Sequence, residues 1–129
     1  MGWFNTYIVA PSASDDDATC SSTIVLYVGS SGGQNPRNRY SSGPSVPFGF
    51  SSSRISVFTE VPDVVFPLGE VGSVSAITGV EEKFPVAVDV MAAKGCDGLL
   101  ARLAGELVEA GVINVPKPGG TLAGGEVLQ

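Results

Sequence analysis

Two adjacent serines, Ser30 and Ser31, stand inside the run Gly29-Ser30-Ser31-Gly32-Gly33. Small residues in this pattern can present a hydroxyl nucleophile beside backbone N–H donors, or cradle a phosphate. Both uses want the glycines to lead into a helix whose N-terminus faces the ligand. Here Gln34-Asn35-Pro36-Arg37-Asn38 follows, with no helical apolar period and no Lys-Ser/Thr pair of the phosphate-loop kind. The 129 residues include no histidine, so the commonest general base and metal ligand is missing. A serine would need a lysine base, and the chain holds only Lys83, Lys94 and Lys117. The run reads as a flexible loop of small residues. Ser30 and Ser31 are the only catalytic candidates it offers.

Other reactive groups have plainer readings. Asp15-Asp16-Asp17 places three carboxylates together, but no glycine turn or distal glutamate follows at calcium-loop spacing, which leaves a solvated loop. Asp89 interrupts a valine strand on the side opposite the valines, an ordinary place for a solvent-facing carboxylate. Cys96 precedes a helix start, where a thiolate gains from the helix dipole, although a small buried residue at a strand–helix turn explains it as well. A disulfide from Cys96 to Cys20 is conceivable. With no basic region and apolar run at the N-terminus to act as a signal peptide, reduced thiols in a reducing cytosol are the expectation. Met1-Gly2-Trp3-Phe4-Asn5-Thr6 fits the myristoylation pattern, but no polybasic patch supplies a second anchor.

Composition narrows the classes further. With 43% apolar and 16% charged residues, the chain is not a solvated disordered segment. A net charge of −6, with Arg37, Arg39 and Arg54 the only basic grouping, excludes a phosphate-tracking nucleic-acid surface. No apolar run approaches the roughly 20 residues that cross a bilayer, so a soluble cytoplasmic protein is expected. No cofactor is implied.

The elements that must position these residues follow from period and punctuation. Phe84 to Gly111 reads as a buried strand, in which Val86, Val88 and Val90 alternate with Ala87, Asp89 and Met91. The Lys94-Gly95 turn and an amphipathic helix follow, carrying Leu99, Leu100, Leu103 and Leu107. Asp97 is the expected N-cap, Arg102 and Glu106 are spaced to pair, and Gly111 stands where a left-handed C-cap belongs. Thr23 to Val28 is a short strand. Ile55 to Thr59 and Asp63 to Leu68 read as strands, with Pro62 and Pro67 at their ends. Gly72 to Gly79 is a third strand candidate, Glu81-Glu82-Lys83 a charged turn, and Val112 to Val115 a short strand. Residues 29–53 form a long Gly/Ser/Asn/Pro loop, unusual inside a compact domain.

Val61-Pro62-Asp63-Val64-Val65-Phe66-Pro67-Leu68-Gly69-Glu70, followed by Phe84-Pro85-Val86-Ala87-Val88-Asp89-Val90-Met91-Ala92-Ala93-Lys94-Gly95-Cys96-Asp97-Gly98-Leu99-Leu100, resembles the C-terminal end of fungal amidases of the amidase signature family. The likeness spans roughly residues 45–113 and includes the approach Ser51 to Thr59; Met91 to Leu100 is its specific part. It implies an α/β fold in which these strands form part of a mixed β-sheet closed by a strand–helix unit. The family hydrolyses amides with a serine nucleophile, a bridging serine and a lysine, all upstream of this unit. No lysine precedes Lys83 here, so no catalytic residue carries over. The resemblance implies a C-terminal fragment of an amidase-like hydrolase, inactive alone, with a small-molecule amide substrate only in the intact parent.

The organisation expected is a loop-rich segment over 1–54 with one short strand, an amidase-like strand/helix unit over 55–113, and a flexible tail over 114–129. Such a unit has little core, because about 60 residues bury only about 60% of their unfolded surface. Its outer strands would leave unpaired N–H and C=O groups that invite self-association. The alternative is a small noncatalytic binding module that uses the 29–53 loop. A minimal serine hydrolase at Ser30 or Ser31 is the third reading. Neither nucleic acid nor membrane is an expected partner.

Overall fold

A computed structural model describes residues 2–13, 16–33 and 54–113. Among them stand helix α1 (Gly2–Tyr7), a 3₁₀ turn (Asp17–Thr19), strand β1 (Val25–Ser31), helix α2 (Ile55–Thr59), strands β2 (Asp63–Val74) and β3 (Glu81–Met91), and helix α3 (Asp97–Glu109). The strands form one three-stranded sheet in the order β1-β3-β2. Both pairings are antiparallel, so the sheet among the described residues is not the mixed one expected from the resemblance. The class is a small α/β domain.

The valine-rich segment became the central strand because it alone is apolar enough to be flanked on both sides. β1 runs beside it from Val25 opposite Met91 to Ser31 opposite Val86. β2 pairs from Asp63 opposite Met91 to Val74 opposite Glu81, making a long hairpin. Each outer strand breaks register once, β1 between Val28 and Ser30 and β2 between Pro67 and Gly69. The two bulges lie either side of Ala87 and crease the sheet across its width.

The core gathers at the Met91 end. Val9, Val61, Phe66, Val90, Met91, Ala92, Ala93, Cys96, Leu100 and Ile113 form one buried cluster. Val9 comes from the N-terminal segment, so that segment and the strand/helix unit share a core. Ser21 Oγ accepts from the Ala93 N–H at 2.9 Å, and Asn5 Nδ2 donates to the Thr59 carbonyl at 2.9 Å. A disulfide joins Cys20 to Cys96, with 5.8 Å between Cα atoms. This corrects the expectation of reduced thiols. The bridge between Pro11 and Ser21 and the 3₁₀ turn fold the N-terminal segment back onto the start of α3, a proximity that sequence spacing alone does not reveal.

Several element boundaries differ from expectation. Ile55–Thr59 is a helical turn, not a strand: Thr59 Oγ1 donates to the Ile55 carbonyl at 2.6 Å, and Glu60 closes the turn in the left-handed region at φ 56°. Tertiary contacts outvote the strand preference of these β-branched and aromatic residues. β2 does not stop at Pro67, because an edge strand has one side on which a missing N–H costs nothing. It absorbs the start of the Gly72–Gly79 candidate; the turn lies at 75–80, closed by Ser75 N–H to the Val80 carbonyl at 2.9 Å. Glu81-Glu82-Lys83 opens β3 instead of turning, and Glu81 and Lys83, two apart on one face, pair at 3.5 Å.

Gly29, Ser30 and Ser31 belong to β1, not to a loop. Residues 34–53, most of the loop on which the binding-module alternative relies, lie outside the described residues, as does the 114–129 tail. Val112 and Ile113 form no strand; the remainder of that candidate, 114–115, is likewise outside. The helix N-cap is Cys96, one residue before the Asp97 expected there. Arg102 Nε and Glu106 Oε1 do pair, at 2.9 Å, and Gly111 has a left-handed φ of 70°.

Candidate functional site

Directly opposed residues in an antiparallel ladder lie on the same face of the sheet. The register therefore sorts the chemistry-bearing residues into two groups. Tyr27 lies opposite Asp89, and Asp63 of β2, opposite Met91, is the diagonal neighbour of Asp89, so all three share one face. Leu26, Val28, Val86 and Val88 share the other.

On the first face the Tyr27 hydroxyl donates to Asp63 Oδ2 at 2.5 Å. Burial, then the hydrogen bond and negative charge of Asp63, with Asp89 adding to both, push the hydroxyl far above its ordinary value near 10. Tyr27 is thus a fixed donor that stays protonated, not a phenolate. Asp89 is buried at 9% exposure, which corrects the expectation that it faces solvent. Its Oδ1 and the Oδ1 of Asp63 are buried without a hydrogen-bond partner among the described residues. A side chain at Gly29 would bring its Cβ within 2.6 Å of Asp89 Oδ1. The glycine at the bulge is what lets the carboxylate sit under β1. The cluster can hold a proton and accept hydrogen bonds, and it orders three strands together.

This arrangement gives a pH signature. The raised hydroxyl contributes stability in full below about pH 10, the tyrosine's unfolded value. Above it the unfolded chain ionises first and binds fewer protons than the folded one, so stability falls as pH climbs toward the folded value. Urea midpoints measured from roughly pH 9 to 11 should drop for the natural chain and drop less steeply for Tyr27→Phe. Equal slopes would show that the hydroxyl is not held in this way.

On the opposite face an open groove of about 560 Å³ is lined by Leu26, Val28, Leu68, Val86 and Val88, with Ser30 and Ser31 at one end. The two serines picked out by the sequence thus do reach the groove, but not as a nucleophile and its base. Ser30 Oγ donates to the Pro85 carbonyl at 2.8 Å. Lys83 pairs with Glu81 and Lys94 with Glu60, and Lys117 lies outside the described residues. The Glu60 carboxyl is held below its usual range by its hydrogen bond to Lys94 and by that cation's charge. Among the described residues nothing activates either serine. Asp16, from the acidic run, caps the 3₁₀ turn by accepting from the Ala18 N–H at 3.0 Å. No group of three or more Cys, Asp or Glu side chains that could hold a metal ion occurs among the described residues. No helix among them is long and apolar enough to cross a membrane.

What sequence reasoning missed is the groove itself. Its signal was present in the alternation Ile24, Leu26, Val28 against Val25 and Tyr27, but period alone does not say which apolar face lacks a cover. No protein-family model matches the chain, and no solved structure matches it.

Proposed function

We propose that this chain is a noncatalytic sheet unit that offers an apolar strand face to other β-structure. The observation that carries the reading is the groove: apolar side chains of β1 stand exposed beside two serines that no base approaches among the described residues. Leu26 is 61% and Val28 74% exposed, although both belong to a strand whose neighbour β3 is buried at its Met91 end. Apolar residues of an ordered strand are left bare chiefly where something else covers them.

The resemblance of Val61–Glu70 and Phe84–Leu100 to the end of amidase signature hydrolases supports the same role. There the terminal strands and helix complete a larger sheet, and amide hydrolysis belongs to the intact parent. In this reading the chain supplies scaffold and no chemistry.

Incubation of the purified chain with a fluorophosphonate probe and with simple carboxamides tests it. Neither serine labelling nor ammonia release is expected. Labelling that disappears in Ser30→Ala or Ser31→Ala would overturn the reading in favour of a minimal serine hydrolase.

A further inference from the structure

We infer that the Cys20–Cys96 disulfide is a reversible latch: thiol reduction through Cys20 frees residues 2–22 from the core while the strand/helix unit stays folded. The inference goes beyond the noncatalytic sheet-unit reading and does not depend on it.

The two sulfurs are not equally open to attack. Cys96 is 1% exposed, whereas Cys20 is only half-buried. An incoming thiolate therefore meets the Cys20 sulfur. As its bond to Cys20 Sγ forms, the bond between Cys20 and Cys96 breaks, and the electron pair leaves on Cys96 Sγ. A second thiolate, from a dithiol or a second glutathione, then displaces Cys20 Sγ. Two electrons have passed to the protein, and the reductant is left as a disulfide.

The leaving sulfur is well placed to leave. Cys96 is the N-cap residue of α3, and its side chain makes no capping hydrogen bond while it is oxidised. A thiolate released there faces the unpaired N–H groups of the first turn, and a stabilised thiolate is the better leaving group. Asp97, in the same turn, is exposed, so solvent screens its charge.

The two cysteines are also tied to different parts of the chain. The Cys96 N–H donates to the Ala93 carbonyl at 3.0 Å, beside Gly95 with its left-handed φ of 85°, so Cys96 stays in its turn when the bond opens. Cys20 is tied to its own segment: its carbonyl accepts from the Ser12 N–H at 2.6 Å, and the Ser22 N–H donates to the Ala10 carbonyl at 2.9 Å. Residues 2–22 can thus leave as one piece. Among the described residues of that segment only Val9 is buried, and α1 buries none. β2 and β3, by contrast, pair from Asp63 to Val74, and the unit holds Phe66, Val90, Met91 and Leu100 in the core. A segment with one buried side chain opens before a unit with many. The disulfide holds it at its seat by keeping its effective concentration there high.

Brief exposure of the oxidised full chain to glutathione, followed by alkylation and peptide mass mapping, should find the glutathione adduct on Cys20 and alkylated Cys96. Hydrogen exchange should then separate the two parts of the chain. After reduction with dithiothreitol, amides from Ile8 to Ser22 should exchange about tenfold faster or more, while those of β2, β3 and α3 keep their protection. The Cys20→Ala/Cys96→Ala variant should exchange like the reduced chain with no thiol present. Should that variant fail to fold, the reduced natural chain decides. An adduct on Cys96, N-terminal exchange that reduction leaves unchanged, or protection lost equally from β2, β3 and α3 would overturn the proposal. None of these outcomes touches the noncatalytic reading, which fails on serine labelling or amide turnover.

Discussion

Replacing Cys20 and Cys96 together by alanine should lower the unfolding free energy by about 4 kcal/mol, the chain-entropy value for a crosslink of this span. The two residues are 76 apart, so the bridge removes a large closed loop from the freedom of the unfolded chain. Small domains have only about 5–15 kcal/mol in total, so a quarter or more of the margin is at stake. Urea unfolding of the oxidised natural chain against the double variant is the measurement. Reduction of the natural chain with a dithiol should reproduce the variant's midpoint, because both remove the same link. An unmoved midpoint in both cases would mean that the N-terminal segment contributes nothing to folding through this bond.

The second large effect lies at Leu100. Its side chain is fully buried in the cluster that also contains Met91 and Cys96. Truncation to alanine leaves a cavity against a strand end and a disulfide, neither of which can collapse far to fill it. A loss of about 3 kcal/mol is expected, within the span measured for buried leucines. Val108→Ala, on the same helix but exposed, should change stability by no more than about 0.5 kcal/mol. Thermal melts of the two variants decide the point. Similar losses would mean that α3 packs evenly along its length instead of being anchored at its first turn.

Leu100 was legible in the sequence and the disulfide was not, and the difference is physical. The helix from Asp97 to Glu109 announces itself through a 3.6-residue period, a turn before it and a glycine after it. These are local signals, which no distant contact had to override. β3 was legible for the same reason, from its alternating valines. Cys20 and Cys96 meet only because the N-terminal segment folds back, and that depends on contacts far apart in the chain. Ile55–Thr59 shows the opposite conflict: its composition favours a strand, yet a hydrogen bond from Asn5 to Thr59, 54 residues away in sequence, helps hold a helical turn. Asp89 was read as solvent-facing and is buried. Alternation gave its face, but only the fold shows that Tyr27 and Gly29 close over it.

The candidate site divides along the same line. Ser30 and Ser31 were visible as small hydroxyl residues among glycines. Ser31 takes its place at the end of the apolar groove by pairing with Val86, while the bulge at Gly29 sets Ser30 opposite Ala87. The absence of histidine from the sequence had already narrowed what any serine could do.

The crease at Ala87 acts as a ruler. β1 runs in register only from Val25 to Val28 before its bulge turns the strand, a straight length of roughly 13 Å at strand rise. On the far side of the sheet the matching break in β2 spoils the other edge at the same level. A sheet marked off in this way has no long straight border among the described residues.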